Sequence, residues 1–169
     1  MSKGKTPILA VNVGSSSIKL AIYSNDEQLV TELKVTDIAA EKSEFIMTDA
    51  TGKIINELED KFADHAAAMN RALDTLEQSD IPRPAAGHRL VHGGDKTSGP
   101  SVVNDKILDQ LRRSIPLAPL HLPNQIRAIE IIGERYPDLP QIACFDTWFH
   151  RDLYDTAAIF PIPRELTDR

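Results

Sequence analysis

The sequence lacks most of the features that mark secreted, membrane-spanning and nucleic-acid-binding proteins. Its single cysteine, Cys144, cannot form a disulfide within the chain, which indicates a reducing compartment. No apolar run is long enough to span a bilayer, and residues 8–11 are too short for the apolar part of a signal peptide. Acidic residues outnumber basic ones by 25 to 19, and the net charge of −6 argues against nucleic acid or an anionic membrane as a partner. We therefore expect a cytoplasmic protein.

The composition is that of a globular protein, with 41% hydrophobic and 26% charged residues. A chain of 169 residues is long enough for one domain with a proper core. Cys144 lies in an apolar stretch, so we expect its thiol to be buried and inert.

The pattern of apolar residues predicts strands first, and then helices alternating with strands. Apolar residues at helical spacing predict helices at about 60–78 and 124–135, and Asn104 is a candidate N-cap for a helix between them. These elements indicate a mixed sheet with helices packed on it. The predicted strands are 8–11, 18–23, 28–35, 44–48, 53–58, 85–92 and 141–145.

The turn between the first two predicted strands is rich in small hydrogen-bonding residues. Gly14 allows a tight turn, and Ser15, Ser16 and Ser17 offer donors to phosphate oxygens, while Lys19 adds a positive charge. The segment is not a Walker A loop, because the lysine lies inside a predicted strand rather than at the start of a helix. Two interpretations stay open at this point, a phosphate-binding turn and an ordinary connection between strands.

The predicted strand at 85–92 carries Arg89 and Val91 on one face and His88 and His92 on the other. Arg89 beside Val91 suits a small carboxylate with an apolar tail, because the guanidinium binds the carboxylate and the valine covers the tail. A structural salt bridge is the alternative. The two histidines are four residues apart, but the strand pattern argues against a helical zinc pair.

Two further polar residues lie at the ends of apolar runs. His121 occupies a proline-framed loop, which suits a positioned side chain, although a structural hydrogen bond fits the pattern equally well. Asp146 closes the last predicted strand, where a carboxylate can hold Mg²⁺, steer a nucleophile or cap a following helix. A Ser-His-Asp hydrolase is not indicated, because the Gly-x-Ser-x-Gly elbow is absent.

Four segments together resemble, in order, the N-terminal part of acetate kinase and its short-chain acyl kinase relatives, which include propionate kinase. They are VNVGSSSIKL, GHRLVHGG, APLHLPN and FDTWFH. The resemblance implies an α/β, ribonuclease-H-like domain of the actin, Hsp70 and sugar-kinase superfamily over residues 1–150, with a mixed five-stranded sheet and flanking helices. Residues 151–169 would begin the connection to a second domain that is absent from this chain.

The resemblance also implies a role for each candidate residue. Asp146 would be the catalytic aspartate, and His121 would contact the transferring phosphoryl group. Trp148 departs from the family, in which small residues are common at this position. The other implied roles are Mg²⁺ binding for Asn12, ATP-phosphate binding for Lys19, Ser15 and Ser17, carboxylate binding for Arg89, and contact with the alkyl tail of the substrate for Val91 and Leu120.

The implied reaction is the reversible conversion of ATP and acetate, or another short-chain carboxylate, into ADP and an acyl phosphate, with Mg²⁺ as cofactor. Such an acid is already ionised at neutral pH, so we expect Asp146 to orient the metal or the nucleophile rather than to remove a proton. We expect little activity from these residues alone, and a possible homodimer in the full-length family form. The alternatives are a non-catalytic remnant or nucleotide-binding module, and a related kinase with another acceptor.

Overall fold

One sheet organises the part of the chain that the computed structural model describes, which is residues 7–79, 81, 85–94, 99–154, 157, 161–163 and 165. Within these residues the sheet has eight strands in the order β5-β4-β3-β2-β1-β6-β8-β7. Strands β1 to β5 form an antiparallel meander, whereas β6 runs parallel to both β1 and β8. The strands are β1 (Ile8–Val13), β2 (Ile18–Tyr23), β3 (Leu29–Thr36), β4 (Ser43–Asp49), β5 (Ile54–Asp60), β6 (Ala86–Leu90), β7 (Ser101–Val102) and β8 (Gln141–Phe145).

The helices begin where polar side chains satisfy free backbone amides. Asp64 accepts a hydrogen bond from the N–H of Ala67 at 2.8 Å, and Asn104 accepts one from the N–H of Ile107 at 3.0 Å. The second of these confirms the predicted cap. The first helix starts later than predicted, because residues 54–60 continue as β5. The helices are α1 (His65–Gln78), α2 (Asp105–Ser114), α3 (Leu122–Arg135) and α4 (Asp146–Phe149), with a 3₁₀ turn at Ile115–Leu117.

Strand alternation gives the sheet one covered face and one open face. Helices α1 and α3 pack together and cover one face, where the alternate residues of β1 and β2 are fully buried. A second apolar cluster joins α2 and α3 to the ends of β6 and β8. The opposite face of β1, β2 and β6 is open and carries small and polar residues, among them Ala10, Asn12, Lys19, Gly87 and Arg89. The site discussed below lies on this open face.

Two sequence-based expectations are wrong in detail. The sheet has eight strands rather than five, because the meander alone contributes five and β6, β8 and the two-residue β7 extend the same sheet. Cys144 is exposed rather than buried, because alternation along β8 places it on the open face between buried Ala143 and Phe145.

Among the described residues, no helix combines the length and the apolar character that a bilayer crossing requires.

Gly94 is a position where a side chain would strain the fold. Its φ is +80°, and a Cβ there would lie 2.7 Å from the Ser114 hydroxyl, whereas Gly52 has a φ of +83° with nothing within 4 Å of such a Cβ. Both Gly→Ala changes impose left-handed strain of about 1 kcal/mol, and only Gly94→Ala adds a clash of about 1–3 kcal/mol. We expect Gly94→Ala to lower the free energy of unfolding in urea by clearly more than Gly52→Ala. Equal losses would show that the Ser114 contact is unimportant.

Candidate active site

The site forms where parallel strands end at the same edge of the sheet. The register places Asn12 of β1 opposite both Arg89 of β6 and Lys19 of β2, and Lys19 opposite Lys34 of β3. Since these positions share the open face, they form one row of polar side chains across four strands. Three members of the row are cations, so the row offers a concentrated positive potential to an anionic ligand.

Arg89 binds Asp146 side-on. The guanidinium Nε donates to both carboxylate oxygens, at 3.0 and 3.2 Å, and Nη2 donates to Oδ2 at 2.8 Å. Hydrogen bonding and the charge of Asp146 raise the pKa of Arg89 above its ordinary value. The Arg89 side chain remains 57% exposed. Because Asp146 uses the Nε edge of the guanidinium, the edge formed by Nη1 and Nη2 is the one that a second carboxylate can approach.

The serine turn presents amide donors, while the carbonyls of residues 13, 14, 16 and 17 accept hydrogen bonds. The carbonyl of Val13 accepts from Gln125, that of Gly14 accepts from His65 Nε2 at 2.9 Å, and those of residues 16 and 17 accept from backbone amides. Within the described part of the chain, the amides of Ser15 and Ser16 donate to no protein acceptor. A turn with most of its carbonyls bonded and two amides exposed favours an anion over a cation.

The two lysines of the polar row both bind the carboxylate of Glu32. Lys19 Nζ lies 2.6 Å from one carboxylate oxygen of Glu32, and Lys34 Nζ lies 3.3 Å from the other. Partial burial opposes ionisation of Glu32, but hydrogen bonds from both lysines keep its pKa below the ordinary value. Two lysines against one carboxylate leave a net positive charge beside the turn.

Five of the predicted site residues converge. A cavity of about 310 Å³ is lined by Asn12, Ser17, Lys19 and Arg89, and Arg89 joins them to Asp146. Ser15 lies at the exposed tip of the same turn. The cavity wall also includes Gly14, Ile18, Lys34 and Thr36. Sequence reasoning missed Lys34 and Thr36, because only the strand register shows that β3 contributes to this wall. A second cavity, of about 410 Å³, adjoins the first along the open face and shares Asn12, Lys19 and Arg89.

The remaining three predicted residues lie differently. Val91 does not share a face with Arg89, because β6 ends at Leu90 and the valine packs against the cluster beneath α2 and α3. Leu120 is 75% exposed in the connection before α3. His121 directly precedes α3. Its carbonyl accepts a hydrogen bond from the amide of Gln125, and its ring does not cap the helix. An apolar pocket lined by Val91 and Leu120 therefore stays a prediction.

The two histidines of the β6 segment have separate partners. His88 is buried, and its Nε2 lies 2.7 Å from Gln141 Oε1. Burial lowers the pKa of His88 to about 4. The Nδ1 of His92 accepts from the N–H of Gly94 at 2.8 Å. Within the residues that the structure describes, no three metal-binding side chains lie together as a cluster.

Trp148, the residue that departs from the family pattern noted above, does not prevent Asp146 from binding Arg89. The Trp148 ring is half-buried, packs against the cluster beneath α2 and α3, and lies 3.8 Å from the Arg151 guanidinium. A Cβ on Gly99 would lie 3.4 Å from the same ring. The tryptophan therefore anchors its segment to the apolar cluster, and Asp146 keeps its bond to Arg89.

The donor set suits a magnesium ion that arrives with a nucleotide. Mg²⁺ favours one or two carboxylate or amide oxygens together with substrate phosphates. Asn12 offers an amide oxygen on the cavity wall, and Asp146 offers a carboxylate that already has a cationic partner. These groups fit an ion shared with phosphate oxygens, and they do not form a self-sufficient protein cage.

Comparison with known proteins identifies the relatives of this chain. The sequence model of the Acetokinase family matches residues 7–169. The acetate kinase of Sulfurovum sp. (strain NBC37-1) is 37% identical over 164 residues, which cover 94% of this chain and 41% of that relative. The acetate kinase of Corynebacterium glutamicum (strain R) is 34% identical over 170 residues, which cover 94% of this chain and 42% of that protein. The chain thus spans about two fifths of the length of these curated relatives.

Solved structures with similar folds include an acetate kinase and a propionate kinase. The crystal structure of Porphyromonas gingivalis acetate kinase matches with a TM-score of 0.81 at 26% identity, over 96% of this chain and 43% of that one. A propionate kinase from Francisella tularensis subsp. tularensis SCHU S4 matches with a TM-score of 0.79 at 32% identity, over 96% of this chain and 42% of that one. These similarities confirm the predicted fold class.

Proposed function

Because this chain belongs to the Acetokinase family, we propose that it supplies the carboxylate-binding and phosphate-binding half of a kinase. The reaction is the reversible conversion of ATP and acetate, or another short-chain carboxylate, into ADP and an acyl phosphate. In this proposal residues 1–150 are the ribonuclease-H-like N-terminal domain, and residues 151–169 lead to a second domain. A homodimer of the full-length form is part of the same proposal.

The observation that carries the proposal is the side-on Arg89–Asp146 pair, in which Arg89 belongs to the same row as Lys19 and Lys34. An arginine whose plane is fixed by one carboxylate is preorganised to bind a second through its remaining edge, with little further loss of side-chain entropy. The cavity next to it is lined by the serine turn and two lysines, which suit phosphate oxygens. The carboxylate and the phosphates would therefore meet on the open face.

The chemistry requires that two anions approach each other. A carboxylate oxygen forms a bond to the γ-phosphorus, the bond from that phosphorus to the bridging oxygen breaks, and ADP leaves with the electron pair. Arg89, Lys19 and Lys34 lower the repulsion, and the amides of the serine turn donate to oxygens that gain charge in the transition state. No proton has to be removed, so Asp146 acts by holding Arg89 rather than as a general base.

Four other residues complete the proposed site. Asn12 would contribute an oxygen to a Mg²⁺ ion bound with ATP, and that ion neutralises phosphate charge. Ser15 and Ser17 would donate to the phosphates, and His121, at the start of α3, would face the transferring group. For Val91 and Leu120 we keep the prediction made from the sequence, which is contact with the alkyl tail of the substrate, and we propose no other contact.

Titration of the ¹⁵N-labelled chain by NMR tests the proposal. Acetate and propionate are expected to shift the Nε–H signal of Arg89, and Mg·ATP is expected to shift the amides of Ser15 and Ser16. Glycerol is the control acceptor and should shift neither. A response to Mg·ATP without a response to carboxylates would favour a nucleotide-binding module, and a response to glycerol would favour a kinase with a hydroxyl acceptor. No response to any of these ligands would indicate a non-catalytic remnant.

We expect these 169 residues alone to form acyl phosphate slowly. Leu120 and Arg89 are widely exposed, so the site does not exclude water, and a water-exposed site loses much of its electrostatic stabilisation. Trapping the product with hydroxylamine is expected to give a turnover at least about 100-fold below the typical enzyme value of about 10 per second. A normal turnover would contradict this expectation while leaving the assigned reaction intact.

A further inference from the structure

A buried glutamine ties together three segments of the candidate site. Gln125 lies one turn into α3 and is only 3% exposed. Its Nε2 donates to the carbonyl of Val13 at 3.1 Å, and its Oε1 accepts from the amide of Val91 at 3.3 Å. Val13 ends β1 and directly precedes the serine turn, whereas Val91 follows β6 two residues after Arg89.

The two contacts determine which end of the Gln125 side-chain amide donates and which accepts. Val13 offers only an acceptor and Val91 only a donor, so the amide orientation of Gln125 is determined by its partners. Few side chains can donate at one atom and accept at the neighbouring one in a buried site. A hydrophobic side chain of the same length would leave a buried carbonyl and a partly buried amide without these partners, which is costly.

We propose that Gln125 is a positioning residue, which holds the serine turn, the Arg89 strand end and the His121 helix start in one fixed arrangement. This inference rests on the proposed function for its purpose, because those three segments bring the phosphate, carboxylate and phosphoryl contacts together. The geometric part does not depend on any ligand. The arrangement explains how a turn with exposed amides keeps its shape: the Gln125 amide holds the carbonyl before it and His65 holds the carbonyl of Gly14.

The chain provides a matched control in a second buried glutamine. Gln141, at the start of β8, also makes two hydrogen bonds, to His88 at 2.7 Å and to the carbonyl of Ile129 at 3.2 Å. It also links a strand to α3, but at the other end of the strands. Gln125→Met and Gln141→Met therefore each remove two hydrogen bonds from a buried side chain, and only the first is expected to disturb the site.

The test compares both variants by ¹⁵N NMR and by binding of inorganic tripolyphosphate. In Gln125→Met we expect displaced or broadened amide signals for Ser15 and Ser16, and hydrogen exchange of the Val91 amide at least about tenfold faster than in Gln141→Met. We also expect tripolyphosphate affinity to fall at least about tenfold. Equal spectra and equal exchange in the two variants would overturn the inference.

Gln125→Glu provides a second, conservative variant. A buried carboxyl group at this site has a raised pKa, and its neutral form can again donate to the Val13 carbonyl while accepting from Val91. We expect the Ser15 and Ser16 signals to be displaced at pH 8 and to return towards the wild-type positions at about pH 5. Each spectrum is compared with the wild type at the same pH, because His65 bonds the carbonyl of Gly14, and both His65 and Arg127 line the core next to Val13.

The proposed function and the Gln125 inference can be overturned independently of each other. If the wild type binds neither carboxylate nor tripolyphosphate, the proposed function is wrong, and the amide signals still decide whether Gln125 positions the turn. If Gln125→Met does not fold, Gln125→Glu decides: signals that do not recover at about pH 5 would overturn the inference, and recovery would support it.

Discussion

Replacing Arg89 by methionine is expected to weaken acetate binding at least about 100-fold. Charge-assisted hydrogen bonds contribute about 1.5–3 kcal/mol each, and a bidentate contact provides two of them. A loss of about 3 kcal/mol corresponds to about 100-fold in the dissociation constant. Arg89→Lys keeps the charge but loses the planar fork, so it is expected to fall between the wild type and Arg89→Met. NMR titration with acetate measures all three constants.

Arg112→Lys is the matched control for this prediction. Arg112 also binds carboxylates, Asp109 at 3.1 Å and Glu130 at 2.9 Å, but it links α2 to α3 and lines neither cavity of the open face. The control is expected to bind acetate as the wild type does. Acetate affinity that survives in Arg89→Met, or that falls equally in Arg112→Lys, would remove Arg89 from the proposed carboxylate site.

Acidification is expected to destabilise the fold through His88. The pKa of this buried histidine is lowered to about 4, whereas an unfolded histidine titrates near 6.5. Between these values the unfolded chain binds more protons than the folded one, so stability falls as the pH drops through that window and is retained above it. The loss approaches about 3 kcal/mol at pH 4. The physical cause is the removal of the imidazole from water, which disfavours its charged form.

Urea unfolding at pH 7, 5.5 and 4 measures this loss. In His88→Gln the decrease in unfolding free energy between pH 7 and pH 4 is expected to shrink by about 3 kcal/mol. In His92→Gln it should match the wild type, because His92 is only half-buried and sits in the loop after β6. If His88→Gln loses as much stability on acidification as the wild type, the buried neutral histidine does not determine the acid sensitivity.

The local features of the fold could be predicted because they depend on short-range chemistry. The Asn104 cap, the helical spacing of α3 and the placement of His88 on the face opposite Arg89 follow from residues near one another in the chain. The convergence of Asn12, Lys19 and Arg89 could be anticipated from the resemblance to acyl kinases, because strand ends of a parallel sheet meet at one edge.

The features that were missed depend on register or on distant contacts. Lys34 joins the site only because β3 pairs with β2 in one particular register. Val91 leaves the face of Arg89 because Gln125, 34 residues further along the chain, takes its amide where β6 ends. The partner of Arg89 lies 57 residues away, at the end of another strand. Alternation within a single segment contains no information about such contacts.

A crystal structure of the chain grown with propionate tests the central claim most directly. The account predicts a carboxylate bound to the Nη1 and Nη2 edge of Arg89, with Asp146 retained on the Nε side and the alkyl tail directed away from the lysines. A propionate ordered elsewhere while this edge of Arg89 faces only solvent, or one that displaces Asp146 from the guanidinium, would contradict it.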